Sequence, residues 1–401
     1  MYDIIAGVLA GVVLGAISGL IPGIHANTMA GILLSTQAAV LAVIGPAALA
    51  VSMFSALVTH TFLDAVPATF LGVPDPDTAI SVLPAHRMCL EGRAEEAVRL
   101  SAIGGAVGCA VSMPLFAAFF ILLPSLQGYI DWWIGIILIT FAGILILQSE
   151  SPEWSFAVFS VSGILGLLTF RYSWLSWNLL GESSLLMPLL TGLFGISVLL
   201  NTKQGEMLPQ DYKGITLPSR DIAKSGTAGT LAGATVGWLP GLSNASANAI
   251  LASVFRIERE GEGFITATGA ANTANAFLAL AAFYALSRTR NGVMVALSLG
   301  EVPPVSVLLF AGALAAFAAF MLTIILSGSA SLFSGLDARK MGFAVIAFVT
   351  ALCLVFTGPF GIVILVLATM TGLVPHYVNI RRVPCIGAVM LPVIFWSFGL
   401  M

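Results

Sequence analysis

The chain has 401 residues, 58% of them hydrophobic and only 9% charged, with a mean hydropathy of +1.02. Soluble globular proteins carry roughly a quarter of their residues charged, so that class is excluded. Sixteen basic and 19 acidic residues give a net charge of −3, which offers no global excess to recruit nucleic acid. At about 20 apolar residues per bilayer crossing, the length accommodates about a dozen spans with short loops and no separate soluble domain. The sequence predicts an all-α polytopic membrane protein, with no cofactor, retained in the cell membrane.

The N-terminal stretch Met1–Gly19 carries Asp3 where a secretory signal would have a basic region, and reads as a retained first membrane segment. Polar breaks follow at 86–99, 124–131, 149–154, 171–183 and 201–224. The longest, 201–224, reads as a cytoplasmic linker between an N-terminal membrane half, 1–200, and a C-terminal half, 225–401, and later breaks fall at 256–263, 287–292, 328–340 and 379–384. Arg171, in an aromatic-rich loop, reads as an interfacial anchor.

The halves share a motif. Gly19-Leu-Ile-Pro22-Gly23-Ile-His25-Ala-Asn27-Thr28 follows an Ala/Gly-rich helix, as does Gly237-Trp-Leu-Pro240-Gly241-Leu-Ser243-Asn244-Ala-Ser246. A Pro-Gly pair inside an apolar segment breaks the helix and frees backbone groups that hydrocarbon cannot satisfy. Broken segments at corresponding positions of two halves point to a transporter's binding site. If 1–36 and 62–85 are hairpins, the crossings before the linker are 38–59, 98–123, 131–148, 155–170 and 184–200. That number is odd, so the second half starts on the opposite side, as an inverted-topology repeat requires. The whole chain then has about ten crossings plus hairpins. On this scheme 13 of the 16 basic residues share one side, which the positive-inside rule makes cytoplasmic, with both termini outside.

Several residues are candidates for chemistry. Helix N-termini after the breaks would present N–H groups to an anion, while Thr28, Ser243 and Asn244 could hold sodium. His25 is either a proton relay or a hydrogen-bonded buried histidine. The run Thr266–Asn275, with Asn272 and Asn275, either lines a cavity or joins helices by hydrogen bonds. An offset of 218 residues, the spacing of the Pro-Gly motifs, brings the segment starting at Gly72, with Asp75 and Asp77, onto the segment starting at Arg290. If both are hairpin tips at membrane depth, Asp75 and Asp77 face Arg288 and Arg290 and couple the halves; an external loop is the alternative for the arginines. The cysteines are scattered without a Cys-x-x-Cys pair and read as buried thiols, with no metal site. His60, His86 and His376 read as packing or interfacial residues. No metalloprotease, nucleophile-elbow, P-loop or dinucleotide motif is present, so no enzyme is expected.

At the Pro-Gly repeats, at Phe70–Ala79, at Leu90–Ala97 and at Ala270–Asn275, the sequence resembles the large membrane subunit of the tripartite tricarboxylate transporter family. The resemblance implies an ion-coupled permease for carboxylates such as citrate, driven by sodium or protons. It also implies an extracytoplasmic binding protein and a small membrane subunit as partners. The motifs Ile21–Ile24 and Leu239–Ser243 are similar also to the polyprenyl-phosphate translocases, whose substrate is a membrane lipid. The expectation is a secondary-active carrier of a small organic anion, working by alternating access. Pro22, Gly23, Pro240 and Gly241 shape its breaks, and His25, Asn27, Thr28, Ser243, Asn244 and Ser246 contact substrate or ion. The alternatives are the lipid-phosphate translocase and a non-transporting membrane scaffold.

Overall fold

A computed structural model describes residues 2–21, 45–72, 82–177, 185–201, 208–238, 247, 255, 257, 261–289, 291–298, 300–333 and 337–400. Among these the regular elements are all helices, as in a membrane protein whose spans satisfy every backbone polar group within their own segment. Among the described residues seven helices are long and apolar enough to cross a bilayer, and three shorter apolar ones accompany them. Large apolar side chains such as Leu9, Ile121, Phe310 and Ile325 stand exposed, as lipid-facing residues do.

Two helix pairs organise the bundle. In the first, α1 (Tyr2–Leu20) lies on α2 (Pro46–Leu63), and α3 (Ala65–Leu71) continues α2. Gly7, Gly11, Gly15 and Gly19 form a stripe at every fourth residue of α1; a Cβ on them would meet Ala48 O, Ser52 O, Ala56 O and the Leu63 side chain at 2.6, 2.5, 2.5 and 2.8 Å. The glycines therefore let two backbones touch, the small-residue packing typical of membrane helices. Because the partner numbers rise together, α1 and α2 run parallel, and α2 starts at the end where α1 starts.

The second pair repeats the first. Helix α4 (Val82–Leu90) and the long helix α5 (Ala94–Leu147) lead toward it through α6 (Pro152–Arg171), α7 (Leu186–Leu190), a π-helical turn at Thr191–Ile196 and α8 (Ser197–Leu199). Then α9 (Ser219–Trp238) lies on α10 (Glu262–Leu286), with Gly229, Gly233 and Gly237 against Ala267 O, Ala271 O and Leu278. These glycines stand 218 residues after Gly11, Gly15 and Gly19, the offset of the Pro-Gly motifs, and this pair too is parallel.

The two pairs run in opposite directions. Asp64 of α2 meets Asn272 of α10, Thr61 meets Thr273, and Phe54 meets Phe277 edge-on at 5.7 Å, so one numbering falls as the other rises. Helix α5 runs with α10, its Gly104 and Gly108 against Thr266 O and Ala270 O. On the other flank, α12 (Val305–Ser327), which follows the short α11 (Gly292–Ser298), packs its Gly312 against Phe54 and Phe277.

Three features differ from the sequence reading. The backbone stays helical through 124–131, where a break was expected, with Pro114 and Pro124 inside α5. At about 1.5 Å per residue a straight helix of that length would exceed 80 Å, so its apolar stretches Ala94–Tyr129 and Trp132–Leu147 cannot share one straight crossing. Second, α2 and α3 join at Asp64 in ordinary right-handed conformation, so the expected hairpin start at 62 lies inside a nearly unbroken helix. Third, the partner glycine contacts put α10 at an offset of 215 from α2, as Ala271 O replaces Ala56 O. The left-handed caps agree, since Gly72 (φ 64°) and Ser287 (φ 54°) are also 215 apart. The register of the second segment is therefore three residues short of 218 over the described residues.

The last helices, α13 (Ala338–Tyr377) and α14 (Gly387–Ser397), close the bundle. Asp337 caps α13 by accepting from the backbone N–H groups of Arg339 and Lys340. Gly358, at φ 72°, breaks α13 ahead of Pro359 where the Trp177 ring lies against it and donates to Leu354 O. Only glycine adopts that angle without strain.

Gly229→Ala should cost about 1–3 kcal/mol by overpacking, because its Cβ would stand 2.0 Å from Ala267 O. Gly143→Ala, with nothing within 4 Å, should be neutral or slightly stabilising. Thermal unfolding in detergent measures both, and equal effects would discount the glycine stripe.

Candidate functional site

Helix α2 is the buried centre of the molecule: every residue from Ala48 to Leu63 is buried. Its last turn carries His60, Thr61 and then Asp64, whose own backbone N–H donates to His60 O at 3.0 Å. Asp64 is 3% exposed. A carboxylate in such surroundings is costly unless hydrogen bonds hold it. Its Oδ2 accepts from Asn272 Nδ2 of α10 at 2.7 Å, and the same amide faces Thr61 O at 3.5 Å.

The rest of this crossing is polar as well. Thr61 Oγ1 donates to Val58 O at 2.8 Å, so the Thr273 hydroxyl, 3.1 Å away, is the donor between the two threonines. His60 Nδ1 lies 3.1 Å from Ser18 Oγ on α1, and Ser18 also reaches Gly15 O at 3.2 Å. If the serine proton goes to Gly15, the histidine Nδ1 carries the proton between them. The cluster sits where α1 ends: a Cβ on Gly19 would lie 3.2 Å from Asp64 N and 3.3 Å from His60 O. Pro22 and Gly23 follow three and four residues later.

Of the residues singled out in the sequence, Asn272 belongs to this crossing. Asn275, three residues on along α10, is half-buried near Gly233. Arg288 is half-buried just past the left-handed cap at Ser287. Pro22, Gly23, His25, Asn27, Thr28, Asp75, Asp77, Pro240, Gly241, Ser243, Asn244, Ser246 and Arg290 lie outside the described residues. Thr273 lies in the run Thr266–Asn275 that the sequence offers as cavity lining, whereas Asp64, Thr61, His60 and Ser18 are site residues the sequence reading does not single out. The available signal is an acid inside the apolar stretch 46–71, which the polar residues Thr59, His60 and Thr61 before it disguise as a helix boundary. The four cysteines are free thiols, and no group of metal-ligating side chains occurs among the described residues.

A charged layer closes one end of the same helices. Arg93, at the start of α5, pairs with Glu96 at 2.9 Å and with Glu262, at the start of α10, at 2.6 Å. Glu96 Oε1 also accepts from the backbone N–H and hydroxyl of Thr216 at 2.7 and 2.6 Å. Gln210 bridges Cys89 O and Ala94 N–H, Asp211 N–H donates to Gly92 O, and the Arg99 guanidinium lies 4.4 Å over the Tyr212 ring. The non-helical segment 208–218 is thus fastened to α5. Arg99 continues the layer to Ser327 at the end of α12. Beside it, buried His86 of α4 donates from Nδ1 to Thr69 O at 2.9 Å and packs under Gly72.

The family model described as the tripartite tricarboxylate transporter TctA family matches residues 5–387, and the chain belongs to that family. An uncharacterized protein of Methanocaldococcus jannaschii is 30% identical over 233 residues, which are 57% of this chain and 57% of that protein. The chain therefore spans little more than half the length of this relative. No solved structure matches.

Burial holds His86 below the ordinary histidine value of 6.5, outweighing its bond to Thr69. The unfolded chain then binds a proton that the folded chain does not, so stability is full above about pH 6.5 and falls as the pH drops. Melting temperature should decline from about pH 7.5 to about pH 5.5, and less steeply in His86→Gln; identical slopes would remove His86 from the titration.

Proposed function

We propose that this member of the TctA family is the membrane permease of a secondary-active system that carries a di- or tricarboxylate, coupled to protons or sodium, by alternating access. The observation that carries this reading is the meeting of two oppositely directed helix pairs at one buried polar crossing, where the first helix of each pair is followed in sequence by a Pro-Gly motif. Such breaks in corresponding positions of inverted repeats are where carriers bind their cargo. A scaffold would have no use for a carboxylate at 3% exposure between its halves.

In this reading 1–200 and 225–401 are the inverted halves and the segment between them is cytoplasmic. The layer of Arg93, Arg99 and Glu262 then marks the inner face, and the Arg381–Glu150 ion pair at 3.0 Å accords with two further inner loops. Pro22, Gly23, Pro240 and Gly241 shape the substrate site. His25, Asn27, Thr28, Ser243, Asn244, Ser246, Asn272 and Asn275 face the substrate or ion. Asp75 and Arg290, brought into register by the 215 offset, pair across the halves together with Asp77 and Arg288. An extracytoplasmic binding protein delivers the anion, and a small membrane subunit completes the assembly in the cell membrane.

The test is thermal stability of the purified protein against di- and tricarboxylates and a short-chain polyprenyl phosphate, with and without sodium. A ligand at about a hundred times its dissociation constant stabilises by about 2.7 kcal/mol. Stabilisation by a carboxylate is expected; stabilisation by the lipid phosphate alone would replace the carboxylate with a lipid cargo. Pro240→Leu with Gly241→Leu should abolish citrate uptake into proteoliposomes while insertion persists, and unchanged uptake would sink the site assignment.

A further inference from the structure

We infer that Asp64 is the residue that carries a proton through the cycle, and that Asn272 of the opposite half reports whether Asp64 is charged. This rests on the transport reading above and names its coupling group. As a carboxylate, Asp64 only accepts, and the amide N–H of Asn272 at 2.7 Å is then a charge-assisted donor joining α2 to α10. Taking one proton neutralises the group, turns one oxygen into a donor and weakens that bond to an ordinary neutral one. One proton thus alters the link between the two oppositely directed helix pairs at the point where they cross.

The chemistry of the neighbours selects a proton over a metal cation. The partner facing Asp64 Oδ2 is an N–H donor, which a cation would have to displace. Among the described residues, the titratable groups of the packed elements are His60, one turn earlier on α2, and His86, under Gly72 at the end of α3. Arg99 and Cys109 lie on α5 before and after the Gly105 that touches Thr273; Arg99 is held by Glu95 and Ser327. Helices α1, α10 and α12 bring no titratable side chain to this level. The seam between α1 and α2 leads to the crossing, and in it the buried hydroxyls of Ser55 and Thr59 have no hydrogen-bond partner among the described residues. Those are groups that a water entering the seam would satisfy.

Infrared difference spectra of the purified protein in lipid, taken between high and low pH, test this without any knowledge of the substrate. A carbonyl band of a buried carboxylic acid should appear on acidification, and Asp64→Asn should lack it. Asp64→Glu, should Asp64→Asn not fold, should keep the band at a changed frequency. Asn272→Leu removes a donor that favours the charged form, so the band's midpoint should rise by about one pH unit. A band unchanged in Asp64→Asn or Asp64→Glu, a midpoint unmoved in Asn272→Leu, or a band abolished by sodium chloride but not choline chloride at constant pH would overturn the proposal. In proteoliposomes, the pH dependence of radiolabelled citrate accumulation should shift with the band in Asn272→Leu. Wild-type protein that accumulates no citrate would count against the carboxylate reading, while the infrared bands decide the proton site by themselves.

Discussion

The structure depends on how closely helix backbones approach one another where no water remains to be expelled. In lipid the hydrophobic effect gives little reason for two apolar helices to associate, so packing contact has to supply it. Four glycines on α1 and three on α9 remove the side chains that would keep backbones apart, and each row lies directly on partner carbonyls. A stripe at every fourth residue keeps one face in register over several turns. That same register fixes the direction of each pair, and hence the levels at which α1 and α9 end.

Seating α1 so deeply on α2 has an electrostatic consequence. The end of α1 comes against the backbone of His60 and Asp64, so the turn that holds the acid is enclosed by α1 on one side and α10 on the other. A charge there would cost several kcal/mol without partners. The crossing answers with short polar side chains from both pairs: Ser18 and Thr61 from one, Asn272 and Thr273 from the other. Their hydroxyls and amides share donors in chains that need both pairs present. The polar crossing therefore fixes how the two pairs sit against each other, where apolar packing alone would allow sliding.

The membrane class, the Pro-Gly correspondence and the 218 offset of the first helices were legible in the sequence because composition and exact residue identity carry them. The register of the second helices was not. Gly72 and Ser287 share a left-handed cap without sharing a residue type, so the three-residue difference shows only when backbones are matched. Asp64 escaped for another reason. A polar residue near the end of an apolar run looks like a helix boundary, whereas here α2 and α3 continue through it with ordinary helical angles. Likewise the 124–131 stretch has the composition of a loop and the backbone of a helix, since neither Gln127 nor Tyr129 obstructs helical geometry. Gln127 instead accepts from the Trp238 indole at the end of α9.

Polar contacts hold α10 to α5 and α2 at two levels, and the spacing of these levels decides how motion would be felt. Glu262 is held by Arg93 at the first residue of α10, within the network that also fastens segment 208–218. Asn272 lies ten residues further, about 15 Å along the axis at 1.5 Å per residue. A rocking of α10 about its clamped end would move Asn272 by a few ångströms for a tilt of about ten degrees, enough to break a hydrogen bond whose useful range is well under one ångström. The ion-pair end would barely shift. In the proposed cycle the charged layer is thus the pivot and the Asp64–Asn272 bond is the latch. Neutralising the carboxylate weakens a contact about 15 Å from the clamped end, which lets a single proton bias the relation of the two helix pairs.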